Sequence, residues 1–387
     1  MPAKGADMDV IVGGGVAGLS VAWRLARSGR AVTVVDPAPA SGASHAAAGM
    51  LAPASETDYT EESLLRLGVE SLRLWPSFAA ELAADAGAAG PPDAGSPKAG
   101  PPEAGSPDAA SPHDWAAMLD YRTDGTLDVG FDADDLAVLD ELASFMDKLG
   151  LPVERLTGRQ CRRLEPMLAP SVRGGIHAPQ DAWVDPRKVT AALLRAIDRR
   201  GVRLVRARAE QVRPGAVVTE GGQLVEAERV VLAAGSWSSR LADVPVRPVK
   251  GQILRLRSPR PLLSRCVRGL VHGRPVYLVP RGDGELVVGA TQEELGFDTT
   301  VTAGGVYELL RDARELVPGV TELELAESVA GLRPGTPDNL PLIGPHRGLT
   351  LATGHHRGGV LLAPLTAAIV LGEASEPAAL CSPERFT

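Results

Sequence analysis

Residues 9–12 (DVIV) form a short apolar run, followed by a glycine cluster and then, over 16–27, by apolar positions at helical spacing. A second run, 31–36, ends in an aspartate. Short apolar runs bounded by turn residues predict buried strands, and the helical spacing between them predicts a βαβ unit in a parallel sheet. Leu136, Leu139, Leu142, Phe145 and Met146 recur at helical intervals within 133–150, and 189–200 is patterned alike, so both are expected to be helices with core-facing stripes. RVVLAAGSWSS at 229–239 reads as a buried strand opening into a small-residue turn and belongs in kind with the first sheet.

The pattern changes from 249 to 291. GQILRLR, VYLVPRG and ELVVGAT alternate or carry β-branched residues, with Gly282, Asp283 and Gly284 as a turn between the last two. This predicts an antiparallel region and a second domain. The segment LTLATGHHRGGVLLAPLTAAIVLGEA then reads as strand, glycine turn and helix, a return to the first architecture.

Between 89 and 108 a ten-residue unit repeats as AGPPDAGSPK and AGPPEAGSPD. Proline and glycine at this density sustain neither helix nor ladder, so 85–112 is expected to be a disordered surface insertion. A chain of 387 residues exceeds what one core usually organises. Its formal net charge of −8 argues against a nucleic-acid partner, and no apolar run is long enough to span a bilayer. The opening MPAKGADMDV lacks the pattern of a secretory leader, so a cytoplasmic location is expected. Cys161, Cys266 and Cys381 are too widely spaced for a disulfide framework or a metal knuckle and read as inert thiols.

Gly13, Gly15 and Gly18 form G-x-G-x-x-G between a predicted strand and a predicted helix. The first glycine permits the tight turn, the second lets the backbone approach a pyrophosphate, and the third lets helix and strand pack closely. Asp36 ends the second strand, where a carboxylate accepts hydrogen bonds from a ribose 2′-hydroxyl. Together they point to FAD or NAD. The small-residue run SGASHAAAGMLAP at 41–53 suits a backbone lying against a flat ring, or a flexible loop. In GHHRGGVLLAP, adjacent His355 and His356 point to opposite faces of an extended chain and have no third ligand nearby, so no metal site is expected. The Gly358 and Gly359 amides are instead read as opening the last helix, whose dipole stabilises negative charge.

GGGVAGLSVAWRLA, SHAAAGMLAP, VVLAAGSWS, PVKGQ, YLVPRGDGELVVGAT, GLRPGTPDNLPLIG and GHHRGGVLLAPLTA occur in an order that resembles the FAD-dependent D-amino acid oxidase family. They are most similar to its glycine oxidase branch, the ThiO type associated with thiamine biosynthesis. The resemblance covers nearly the whole chain except the Pro/Gly-rich insertion. It implies a discontinuous Rossmann-like α/β FAD-binding domain from 1–80, 174–246 and 325–387, and an antiparallel-sheet α+β substrate domain from 113–173 and 247–324. It further implies that Gly13, Gly15, Val16, Ala17, Gly18, Asp36 and Pro37 contact the adenosine and pyrophosphate. Ala43, Ser44, Ala48, Gly49 and Met50 match positions along the flavin. Ala209, Gly235, His355, His356, Arg357, Gly358, Gly359, Val360 and Leu361 complete the non-covalent FAD site. Tyr277, Arg333 and Arg357 match the catalytic and substrate-binding positions, with Met50 beside the substrate.

The residues support these roles unequally. A substrate carboxylate is well held by a planar two-pronged guanidinium, and GLRPG favours extended backbone at Arg333, although a surface arginine would read the same locally. Tyr277 equally suits cross-strand packing. Lys250 in PVKGQ belongs to the signature and receives no catalytic role. The resemblance implies oxidative deamination of glycine, with sarcosine or small D-amino acids as further substrates. Hydride transfer to flavin N5 would give imine, then glyoxylate and ammonia, with O₂ reduced to H₂O₂. An amino acid dehydrogenase, a sarcosine-type N-methyl amino acid oxidase and a non-catalytic flavoprotein subunit are the alternatives. A homo-oligomer, with a tetramer as the leading form, is expected.

Overall fold

The computed structural model describes residues 8–56, 60–87 and 112–386. Residues 88–111 of the expected insertion lie outside them. Met8–Val12 is a central strand of a six-stranded sheet, parallel to Ala31–Val35 on one side and to Arg229–Leu232 on the other. Arg203–Val205 extends the sheet beyond Ala31–Val35, and Leu349–Thr353 beyond Arg229–Leu232. The outer strand Leu342–His346 turns back antiparallel on Leu349–Thr353. Val10 and Ile11 are fully buried, as the unbroken apolar run requires of a strand covered on both faces.

The Val16–Arg27 helix begins and ends where its pattern placed it. The expected 189–200 helix starts earlier, at Pro186, because the Asp185 carboxylate caps Arg187 N at 2.8 Å and proline is well placed in a first turn. Asp132 likewise caps the Ala133–Lys148 helix through the amides of Asp134 and Asp135. A long helix that the pattern did not single out, Glu62–Ala86, packs against Pro186–Arg199 and against the helix Ala363–Leu371.

The second large sheet has eight strands in the order Glu324–Gly335, Arg247–Arg257, Glu285–Gly289, Arg274–Pro280, Cys266–Val271, Thr126–Gly130, Gly174–Ala178 and Glu154–Thr157. All neighbours are antiparallel except Cys266–Val271 with Thr126–Gly130. That parallel pair departs from a purely antiparallel expectation, because a long excursion of chain separates its two strands. Gly174–Ala178 and Glu324–Gly335 belong to this sheet through their pairing with Thr126–Gly130 and Arg247–Arg257, so its membership crosses the expected limits at 174 and 325. The thiols of Cys161, Cys266 and Cys381 are buried and unpaired, and burial raises all three above the ordinary range, so they stay protonated at neutral pH. Among the described residues, no helix is long and apolar enough to cross a membrane.

The Glu62–Ala86 helix fastens the C-terminal segment. Ser71 Oγ and Trp75 Nε1 both donate to Leu361 O, at 2.6 and 2.9 Å, and the fully buried Trp75 ring meets Phe78 edge-on. Trp75→Phe should lower unfolding free energy by about 1–2 kcal/mol through loss of the donor. Trp75→Ala should cost about 3–5 kcal/mol through the added cavity, both read from urea denaturation.

Candidate active site

Where the two sheets meet, a cavity of about 990 Å³ runs from the first glycine turn to the face of the eight-stranded sheet. Its first end is built by the βαβ unit. Gly13 has φ +114°, and a Cβ there would lie 2.3 Å from Ala233 O, so the turn after Met8–Val12 admits only glycine. Gly18 does not line the cavity. A Cβ on it would stand 2.0 Å from Gly13 O, so its contribution is the close packing of helix on strand rather than ligand contact. Gly15 offers no side chain to cap the Val16–Arg27 helix, and its first turn carries no acidic residue, so an uncompensated helix start faces the cavity. Ser44 Oγ accepts from Val16 N at 2.9 Å, tying the small-residue segment to that helix.

Asp36 Oδ2 accepts from Gly14 N and Oδ1 from Ala38 N, each at 2.7 Å, which fixes the carboxylate at the cavity wall. Val16, Ala17, Pro37, Ala43, Ala48, Gly49, Met50, Ala209 and Gly235 also line it. An elongated space with a helix N-terminus at one end, a carboxylate beside it and small residues along its length fits FAD.

The other end is a row across the eight-stranded sheet. Asp128 pairs in register with Arg268, Arg268 with Tyr277, Tyr277 with Gly289, and Gly289 with Ile253. Residues directly opposed in register share one face. Asp128, Arg268, Tyr277 and Ile253 all line the cavity. Two strand glycines make room for the larger side chains. A Cβ on Gly289 would stand 2.4 Å from the Tyr277 hydroxyl, and one on Gly251 would stand 2.4 Å from Arg333 Nη1.

Arg333 projects from Glu324–Gly335 and donates through Nη1 to Thr291 O at 3.2 Å. Among the described residues, no carboxylate pairs with it. Tyr277 is held protonated, its phenol pushed up to about 12 chiefly by burial and opposed by the charge of Arg333. Its hydroxyl has no hydrogen-bond partner among the described residues and is free to donate to a ligand.

Arg357 lines the cavity but is not a free cation. It pairs with Glu61 and donates through Nε to Glu56 O at 3.1 Å. His355 Nε2 lies 2.8 Å from Thr366 Oγ1 on the buried side, whereas the backbone of His356 takes φ +47°. Burial moves both imidazoles down to about 4, so they are neutral at neutral pH. The helix after this segment begins at Ala363, not at the glycines. A single 3₁₀ turn, His356–Gly358, and a further turn precede it, because the positive φ at His356 cannot enter an α-helix. Gly359 and Val360 line the cavity, whereas Gly358 and Leu361 are buried next to them.

Several site residues went unread in the sequence. Glu56, Asp128 and Arg268 all line the cavity, with Arg268 Nε donating to Asp128 Oδ1 at 2.9 Å. Their signal was a charge inside each of two otherwise apolar strands, TLDVG and CVRGLV. Burial raises the carboxyls of Glu56 and Asp128 above their ordinary values, and Asp181 beside them up to about 7.

The glycine turn, the elongated cavity and the sheet-borne guanidinium define a flavin-dependent oxidoreductase. Residues 10–91 and 111–371 match the DAO family of FAD-dependent oxidoreductases, and the chain belongs to that family. It is 34% identical over 374 residues to the glycine oxidase of Geobacillus kaustophilus, covering 93% of this chain and 90% of that protein. The solved structure of glycine oxidase from G. kaustophilus superposes with a TM-score of 0.81 at 31% identity, covering 95% of each chain. The bifunctional protein ThiO/ThiG of Trichormus variabilis is 33% identical over 377 residues, and the chain spans 51% of its length. The protein is an FAD-dependent oxidoreductase of this family.

A Cβ at Gly359 would meet only His355 Cβ, at 3.8 Å, so the backbone accepts a side chain there and the cavity receives it. Gly359→Phe should therefore fold normally by circular dichroism yet purify with less than half the flavin per chain of the wild type. For Asp181, the raised folded value means that the folded state binds the extra proton between the ordinary value of 3.8 and about 7. Stability from this group consequently falls as pH rises through that window. Asp181→Asn should gain stability relative to wild type between pH 4 and 7, with urea midpoints measured across the range; a pH-independent difference would count against it.

Proposed function

We propose that the protein oxidises glycine, and more slowly sarcosine and small D-amino acids, to the imine and then glyoxylate and ammonia, with H₂O₂ as co-product, and that it serves thiamine thiazole biosynthesis. The observation that carries this reading is the Arg333 guanidinium, which enters the cavity without a carboxylate partner among the described residues. A partly buried, uncompensated cation favours an anionic ligand, and a planar fork suits a carboxylate. The glycine oxidase relatives support a small amino acid as that ligand. The ThiO/ThiG relative supports the thiamine role.

A bound FAD would supply the acceptor for the two electrons of the substrate Cα–H bond and the means of passing them to O₂. The chain supplies orientation and charge. Arg333 binds the carboxylate, and the protonated Tyr277 hydroxyl donates to the same group. Tyr277, Ile253 and Met50 belong to one apolar cluster and give this end of the cavity an apolar wall, which suits a small substrate. Arg357, already paired with Glu61, anchors the segment over the cavity and adds positive potential on the substrate side.

Arg333→Ala should lower kcat/KM for glycine by about 100-fold or more, near 3 kcal/mol of lost ion pairing. Arg333→Lys should recover little of it, because an ammonium cannot reproduce the two-pronged contact. Anaerobic flavin bleaching and H₂O₂ release with glycine, sarcosine and D-alanine should rank glycine first. A loss under tenfold in the alanine variant would remove Arg333 from the role.

A further inference from the structure

The substrate of such an oxidase carries a second charge, and the mechanism above leaves its ammonium unaccounted for. Hydride leaves Cα readily only when the nitrogen lone pair is free, so the ammonium must lose a proton at or before binding. Among the described groups lining the cavity, few can take it. Tyr277 is already protonated, and His356 holds a proton too weakly. Arg268, Arg333 and Arg357 are permanent cations. Asp36 stands at the opposite end, bonded to backbone amides.

Glu56 remains. It lines the cavity with 15% of its side chain exposed, and its Oε1 stands 3.8 Å from Arg268 Nη1. That separation exceeds a hydrogen bond, so the carboxylate keeps acceptor capacity for another donor. Its place is set from two sides: Arg357 Nε holds the Glu56 carbonyl at 3.1 Å, and Asp128 holds Arg268 at 2.9 Å. The charges of Arg268, Arg357 and Arg333 all act on Glu56, and Glu56 and Arg333 line the same cavity.

Resting on the glycine oxidase reading, we propose that Glu56 binds the substrate amine and accepts its proton. The ammonium N–H bond breaks and a Glu56 O–H bond forms, leaving a neutral amine and a neutral carboxylic acid; the proton returns to solvent after the product departs. Arg268 is a positioning residue in this scheme, tethered by Asp128. Selectivity follows from the two ends together. Arg333 recognises any small carboxylate, whereas Glu56 distinguishes an amino acid from the corresponding hydroxy acid.

The test uses the FAD-loaded enzyme, glycine, and glycolate, which has the same size and carboxylate but no amine. Kd for glycine comes from saturation of anaerobic flavin reduction, and Kd for glycolate from perturbation of the flavin spectrum. Glu56→Gln should weaken glycine by about tenfold or more while changing glycolate less than about twofold, as expected for a lost charge-assisted contact. It should also move the acid limb of the reduction-rate profile towards the ionisation of the free amine. Equal weakening of both ligands, or no change in either together with an unmoved pH profile, would overturn the proposal. Should Glu56→Gln fail to retain FAD, Glu56→Asp keeps the charge but shortens the reach. That variant should weaken glycine selectively, and equal effects on both ligands would again refute the role. A wild-type enzyme that no small amino acid reduces would instead refute the underlying substrate reading.

Discussion

The site depends on one electrostatic constraint: a guanidinium, Arg333, is brought into the cavity with backbone carbonyls as its hydrogen-bond acceptors among the described residues. A cation so placed has lost part of its hydration and has no carboxylate in ion-pair contact among the described residues, so the site is preorganised for an anionic ligand. The surrounding scaffold can be understood as the means of holding it there. Glu324–Gly335 is paired along its length with Arg247–Arg257, and Gly251 on the facing strand gives up its side chain so that the guanidinium can lie across it.

The other two arginines are treated differently. Arg268 and Arg357 each receive protein carboxylates, Asp128 with Glu56 and Glu61 respectively, so they structure the wall rather than compete with Arg333 for a ligand. Register achieves this economically: one row of residues sets Asp128, Arg268 and Tyr277 side by side on a single face. The dinucleotide end works by omission instead. Glycines at 13 and 15 keep side chains out of the turn, and the helix start after them carries no acidic residue, which suits an anionic pyrophosphate.

Much of this was legible in the residues. The βαβ unit with Gly13, Gly15 and Gly18 follows from local periodicity and turn chemistry, because a strand, a glycine turn and a helix are decided within about thirty residues. The same holds for the Val16–Arg27 helix and the antiparallel hairpin around Gly282, Asp283 and Gly284. Ordered motifs singled out Tyr277 and Arg333, both of which line the cavity.

Only the tertiary structure decided the charge pairing. Glu56, Asp128 and Arg268 come from three separated segments, and their meeting depends on a parallel pairing between Thr126–Gly130 and Cys266–Val271 that no local pattern encodes. Arg357 shows the converse: its motif suggested a substrate contact, but Glu61 is brought to it from the start of a distant helix. Likewise the strand glycines 251 and 289 look like weak points in the sequence and become necessary only when a side chain from the next strand crosses them. Sequence by itself determined the elements and the cofactor turn, since these rest on contacts between near neighbours. Which charges remain free depends on contacts between residues far apart in the chain, and those exist only in the folded molecule.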